Sequence, residues 1–193
     1  MKVFLLDNGH GKETPGKRSP VWPDGSQLLE WEFARQMVKA IKEKAVAAGL
    51  LVVELVPETN DVPLADRCKR ANGWHDATNA RAVLLSMHSN AGGGTGFEVY
   101  TSRGNTKADY YATIICKALI SAFPYLKMRS DLSDGDMDKE ADFYILKHTR
   151  CPAVLCENLF MDNFNDCQLL MQEDFRQKLA DAYVNAMKTI NEL

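Results

Sequence analysis

Four side chains in this 193-residue sequence are of types that hold a metal ion or move a proton, and each is tied to an apolar segment: His10, Glu30, His88 and Glu157. Val3 to Asp7 is a short apolar run halted by Asn8-Gly-His-Gly11. Ala82 to Met87 runs into His88, and Ala153 to Cys156 runs into Glu157. Ligands of open α/β sheets bind beyond the carboxyl ends of the strands. If the three runs are parallel neighbours, both imidazoles and the Glu157 carboxylate meet at one sheet edge. Glu30 lies on a long helical stretch and shares a face with Ala34, Met37, Val38, Ile41, Ala45 and Ala48, so its carboxylate is partly buried and needs a partner. Two histidines and one carboxylate with an open position form a catalytic zinc set, and a further unbound carboxylate is the usual base for hydrolysis. His10, Glu30 and His88 fit the first role and Glu157 the second. Taken singly, a strand-end histidine is more often a structural hydrogen-bonding group than a ligand, and an early-helix glutamate usually serves the helix dipole. Periodicity alone leaves both readings open.

The elements that position these residues alternate in type. The spacing predicts strands at Val3–Asp7, Leu50–Val56, Ala82–Met87, Phe97–Thr101, Phe143–Leu146 and Ala153–Cys156. Helices are predicted over Ser26–Ala48, with Ser26 as N-cap and Gly49 as terminator, and over Asp66–Ala80, Thr106–Phe123 and Glu173–Leu193. Lys12 to Gly25, rich in proline and glycine, reads as a loop, and Gly92 to Gly96 as a tight one. The alternation implies a three-layer α/β/α sandwich on a mostly parallel twisted sheet. No internal repeat or linker divides it, so residues 1–193 are expected to form one domain.

Composition narrows the function classes. At 46% hydrophobic and 25% charged residues the chain has enough apolar material for a core without staples. A net charge of −3 supplies no positive field for nucleic acid, and no apolar run reaches membrane-spanning length. Five cysteines without CxxC spacing read as reduced, packed thiols. Asp134-Gly-Asp-Met-Asp138 alternates as calcium loops do. Lys139 and Ile145 stand where an EF-hand needs glycine and the bidentate glutamate, so the segment reads as a solvated acidic loop. His75 and His148 end no apolar run and are set aside.

Asp7-Asn-Gly-His-Gly11, Glu30 after its Pro/Gly-rich loop, Ser86-Met-His-Ser-Asn-Ala91 and Glu157-Asn-Leu-Phe-Met-Asp-Asn163 together resemble, in order, the motifs of the zinc-dependent N-acetylmuramoyl-L-alanine amidases of the amidase-3 type. Asp61, Leu64, Arg67 and Asn72 fit that family's D-x-x-L-x-x-R-x-x-x-x-N stretch, and the resemblance spans residue 3 to about residue 190. It implies a zinc-exopeptidase-like fold, with Zn2+ held by His10, Glu30 and His88 and with Glu157 as the catalytic glutamate. The implied reaction is hydrolysis of the amide between the lactyl group of N-acetylmuramic acid and the L-alanine of the stem peptide in peptidoglycan. Asn8 and Lys12 stand where the family often has proline and glycine, and Thr59-Asn60 where it often has Thr-Arg. These departures bear on substrate contacts. Asn90 and Asn163 are expected either to orient ligands or substrate or to stabilise turns.

The competing readings are a zinc carboxypeptidase or other amidohydrolase on the same scaffold, and a non-catalytic peptidoglycan-binding module. A pure binder has no use for a base at Glu157. The first residues carry no secretory signal, which points to a phage or prophage lysis enzyme, made in the cytoplasm and acting on the wall after release. A monomer is expected.

Overall fold

In a computed structural model, which describes residues 1–133 and 135–193, three strands with near-continuous apolar sequence pair side by side in parallel. They are β1 (Val3–Asn8), β3 (Ala82–Asn90) and β6 (Ala153–Phe160). β2 (Leu51–Glu54) lies parallel to β1 at one edge. β4 (Glu98–Thr101) runs antiparallel to β6, and β5 (Lys139–Glu140) closes the other edge, giving the order β2-β1-β3-β6-β4-β5. The central strands are apolar on both faces because both are covered. Phe4, Leu6, Val83, Leu85 and Met87 pack under α1 (Glu30–Ala47), α3 (Lys107–Ala122) and α6 (Glu173–Asn191). Val3, Leu5, Leu84 and Leu155 alternate to the opposite face, beneath α2 (Leu64–Ala77) and α4 (Tyr144–Lys147). The three-layer sandwich and its mostly parallel sheet follow from that alternation. All five cysteines are free and buried. No helix among the described residues is long and apolar enough to cross a membrane.

Several boundaries differ from the sequence reading, each for a local reason. α1 begins at Glu30, not Ser26, because the preceding residues are held extended. Ser19 and Leu28 exchange hydrogen bonds, Arg18 bridges Leu29, and the Glu30 N–H donates to the Lys17 carbonyl. Ser26 instead closes a turn on Asp24. Ala48 falls beyond the helix, while Gly49, at φ 79°, supplies the left-handed turn that ends it. β3 and β6 run on past Met87 and Cys156, so His88 and Glu157 lie within strands. Phe143–Leu146, read as a strand, contributes to α4, a single helical turn. α5 (Phe164–Met171) and the two-residue β5 were not anticipated. Asp134 lies outside the described residues, and Asp138, expected in a solvated loop, is buried.

Candidate metal centre

β1 ends in a turn that only glycine permits. A Cβ on Gly9 would sit 2.6 Å from the His88 ring, and one on Gly11 would sit 2.1 Å from the Asp61 backbone nitrogen. Between them His10 adopts φ 61°, a left-handed conformation that costs a non-glycine residue about 1–3 kcal/mol. The conformation is held from outside, since the His10 carbonyl accepts hydrogen bonds from Arg35 Nη1 at 3.1 Å and Arg67 Nη2 at 3.3 Å. The bend turns the imidazole toward Glu30, the first residue of α1.

Glu30 is 1% exposed. Its Oε1 lies 3.1 Å from His88 Nδ1 and 3.2 Å from His10 Nε2, and accepts the Ser89 N–H at 3.2 Å. The imidazoles meet edge to face with ring centroids 4.9 Å apart. One ligand atom from each of His10, Glu30 and His88 lies within 4.8 Å of the other two. Glu30 Oε2 is buried without a hydrogen-bond partner, and buried His10 Nε2 faces only Glu30 Oε1. A buried carboxylate oxygen left unpaired is costly unless a cation joins it, so these three residues fit a metal ion of the zinc type. Burial opposes the charge of Glu30, yet the two imidazoles outweigh it and hold the carboxyl below its ordinary range. Burial likewise opposes charge on His88, and Glu30 and Glu157 raise its pKa despite it.

Glu157 stands beside His88 across the β3–β6 pair. Beyond it the register shifts, so that Asn90 pairs with Phe160, and Leu159 takes φ 58° in the resulting bulge. Such a bulge re-aims side chains next to a site. Glu157 Oε2 is buried with no hydrogen-bond partner. Burial pushes the carboxyl up to about 7; Glu30 and Glu98 add to the rise, while His88 and Lys17 oppose it. A glutamate there both accepts and returns a proton near neutral pH.

A cavity of about 460 Å³ opens over these groups, with His10, Lys17, His88 and Glu157 on its polar side and Leu64, Phe143 and Tyr144 among its apolar residues. A larger cleft of about 690 Å³ at the amino ends of the strands has its arginines engaged: Arg150 pairs with Asp76 and Arg81 donates to the Thr78 carbonyl. It contains no comparable group of ligands.

The model of the N-acetylmuramoyl-L-alanine amidase family (Amidase_3) matches residues 4–189. The chain belongs to this family. The sporulation-specific N-acetylmuramoyl-L-alanine amidase of Bacillus subtilis strain 168 is 31% identical over 192 residues, covering 97% of this chain and 67% of that protein. The endolysin of Bacillus phage SPP1 is 31% identical over 196 residues, covering 98% of this chain and 66% of that protein. The chain thus spans about two thirds of these relatives. The crystal structure of N-acetylmuramoyl-L-alanine amidase from Clostridium difficile 630 superposes with a TM-score of 0.85 at 22% identity, over 99% of this chain and 97% of that one, and shares the fold.

The amidase fold of this chain also explains residues the sequence reading passed over. Arg67, placed only by its motif, is 2% exposed and braces the floor of the site. It donates to Asp7 Oδ1 at 2.8 Å, to the Val62 carbonyl at 2.8 Å and to the Asn8 carbonyl, while Ser86 Oγ donates to Asp7 Oδ2 at 2.5 Å. Asn158 donates to the His88 carbonyl at 2.9 Å and accepts from the Tyr183 hydroxyl of α6 at 2.6 Å. Its place directly after Glu157 was the available signal. Asn163 caps α5, accepting the Asp166 N–H, and donates to the Gly94 carbonyl, a turn-stabilising role. Asn90 donates to Glu98 Oε2 at 2.5 Å. His148 stacks on Tyr144, and His75 lies in the last turn of α2.

Proposed function

We propose that this chain is a single catalytic domain, residues 1–193, that hydrolyses the amide between N-acetylmuramic acid and L-alanine in peptidoglycan. His10, Glu30 and His88 would hold Zn2+, and Glu157 would be the general base. The observation that carries the reading is the convergence of two imidazoles on a buried carboxylate beside a second, unpartnered carboxylate, with His10, His88 and Glu157 lining one cavity. Bound zinc supplies Lewis-acid polarisation of the scissile carbonyl and acidifies a water molecule.

The chain's own residues do the rest. Glu157 takes a proton from the attacking water as the new C–O bond forms at the carbonyl carbon. It passes that proton to the alanine nitrogen as the C–N bond breaks. Arg67 and Arg35 hold the His10 turn, and Asn158 holds the His88 backbone, so the imidazoles keep their angles through the cycle. Lys17, 4.0 Å from Glu30 Oε2, places a positive charge at the rim. In the cellular setting that fits an endolysin relative, the enzyme is made in the cytoplasm and reaches the wall after release, acting as a monomer.

Digestion of purified peptidoglycan tests the reading. New L-alanine amino termini with intact glycan strands are expected. Release of a terminal amino acid would replace it with a carboxypeptidase, and sedimentation with the wall without any cleavage would replace it with a binding module.

A further inference from the structure

The acidic segment before β5 holds a second constellation, remote in sequence from the His10–Glu30–His88 set. Asp138 is 1% exposed. Its Oδ2 accepts the Thr101 hydroxyl at 2.6 Å, and its Oδ1 is buried with no hydrogen-bond partner. Asp136, two residues earlier, likewise has a buried, unpartnered Oδ1. The carboxylate of half-buried Asp136 thus lies close to that of interior Asp138, near Cys116 of α3, and burial together with Asp136 pushes Asp138 up to about 7.

Among the described residues no cation is paired with either carboxylate, and Asp136 lies within hydrogen-bonding reach of Asp138. The groups that act most strongly on Asp138 are Thr101, Asp136 and Asp109, none of them a cation. Asp109 is already occupied, its carboxylate accepting both the N–H and the hydroxyl of Thr106 in the cap of α3. Lys139, the adjacent cation, turns to the other side and donates to Glu98 Oε1 at 2.6 Å. Unpaired buried carboxylates are costly, and two sharing one site cannot both stay ionised without a positive partner. Hard divalent cations take oxygen ligands of this kind, with water completing the shell, and alternate aspartates are the spacing in which calcium loops present them.

We propose that Asp136 and Asp138 hold a calcium ion that fastens residues 136–138 and β5 against β4, apart from the catalytic centre. The site differs from an EF-hand in lacking the glycine and the distal glutamate, so its affinity rests on rigid burial. The bound ion would fix the strand that carries Lys139, whose ammonium anchors Glu98 beside Glu157.

The test is thermal melting of the zinc-loaded protein at pH 7.5, dialysed free of calcium, as calcium chloride is added against sodium chloride of equal ionic strength. Saturating calcium is expected to raise the melting temperature by about 4 °C or more, with equilibrium dialysis giving one calcium per chain. In Asp138→Asn and Asp136→Asn the rise should disappear. Should both variants fail to fold, the stoichiometry and melting shift of the parent still decide whether an ion binds. No rise and no bound calcium in the parent would overturn the proposal, and would assign the pair to a shared proton if Asp138→Asn also melted hotter. An equal rise in parent and variants would overturn it too, by placing the ion elsewhere.

Discussion

Glu98 and Glu157 stand directly opposite one another on antiparallel β4 and β6, so their side chains share a face, but their carboxylates are in opposite states. Glu98 has both oxygens taken: Arg129 at 2.8 Å and Lys139 at 2.6 Å on one, Asn90 at 2.5 Å and the Tyr100 hydroxyl at 2.8 Å on the other. Glu157 keeps an unpartnered oxygen toward the cavity. One glutamate is fixed as an anion, and its neighbour is left free to exchange a proton.

Glu157→Gln therefore should abolish turnover while leaving metal and fold in place. Glutamine keeps the shape but accepts no proton from water, and loss of general-base action typically costs about 10²- to 10⁴-fold. Muropeptide hydrolysis, zinc content and melting temperature are to be measured together. Activity within a few-fold of the parent would remove Glu157 as the base. Loss of activity that merely tracks the folded fraction would make it structural.

One zinc per chain is expected in the purified protein, dropping sharply in His10→Ala and His88→Ala. Glu30→Gln should lower zinc content more than it lowers stability, because without metal a neutral amide suits a 1% exposed position better than a charge. Full zinc content in all three variants would dismiss the assignment.

Much of this site was legible because its four principal residues follow or interrupt apolar runs, and the β1-β3-β6 order sets those runs side by side. What stayed hidden depends on contacts between distant segments. The motif marks Arg67, but its role as a brace is visible only once α2 lays it on Asp7, sixty positions away. Ser26 has the type of an N-cap, but the pairing of Ser19 with Leu28 overrode it. Asp138 sits in a polar stretch whose composition suggests solvent, and only the packing of β5 on β4 buries it.

Arg67→Ala should destabilise the protein by about 3–5 kcal/mol, the usual cost of leaving a buried charge without its partner. Both Arg67 and Asp7 are 2% exposed, so water cannot replace the guanidinium. Arg67→Lys should recover only part of the loss, because one ammonium cannot serve Asp7 and the Val62, Asn8 and His10 carbonyls together. Urea unfolding of the three proteins checks this. A loss under 1 kcal/mol for Arg67→Ala would show that the brace is dispensable.

The acid limb of the stability curve should carry the signature of Glu98. Burial alone would raise its pKa, but Arg129, Lys139 and Tyr100 outweigh burial and bring it from 4.5 down to about 2. Because the folded value lies below the unfolded one, the stabilisation is fully present above pH 4.5 and is lost as the pH falls through 2. In Glu98→Gln that slope should flatten, with the variant less stable than the parent at neutral pH and the two curves converging near pH 2. The measurement is urea unfolding of metal-free protein across this range, so that loss of zinc from protonating histidines does not enter. Glu58, paired with Arg70, is also lowered to about 2, but that pair is exposed to solvent. High salt should therefore suppress the Glu58 share and leave the Glu98 share, since buried pairs are screened far less than surface ones. Curves for parent and Glu98→Gln that run parallel from pH 7 to pH 2 would show that the four donors around Glu98 do not hold its charge.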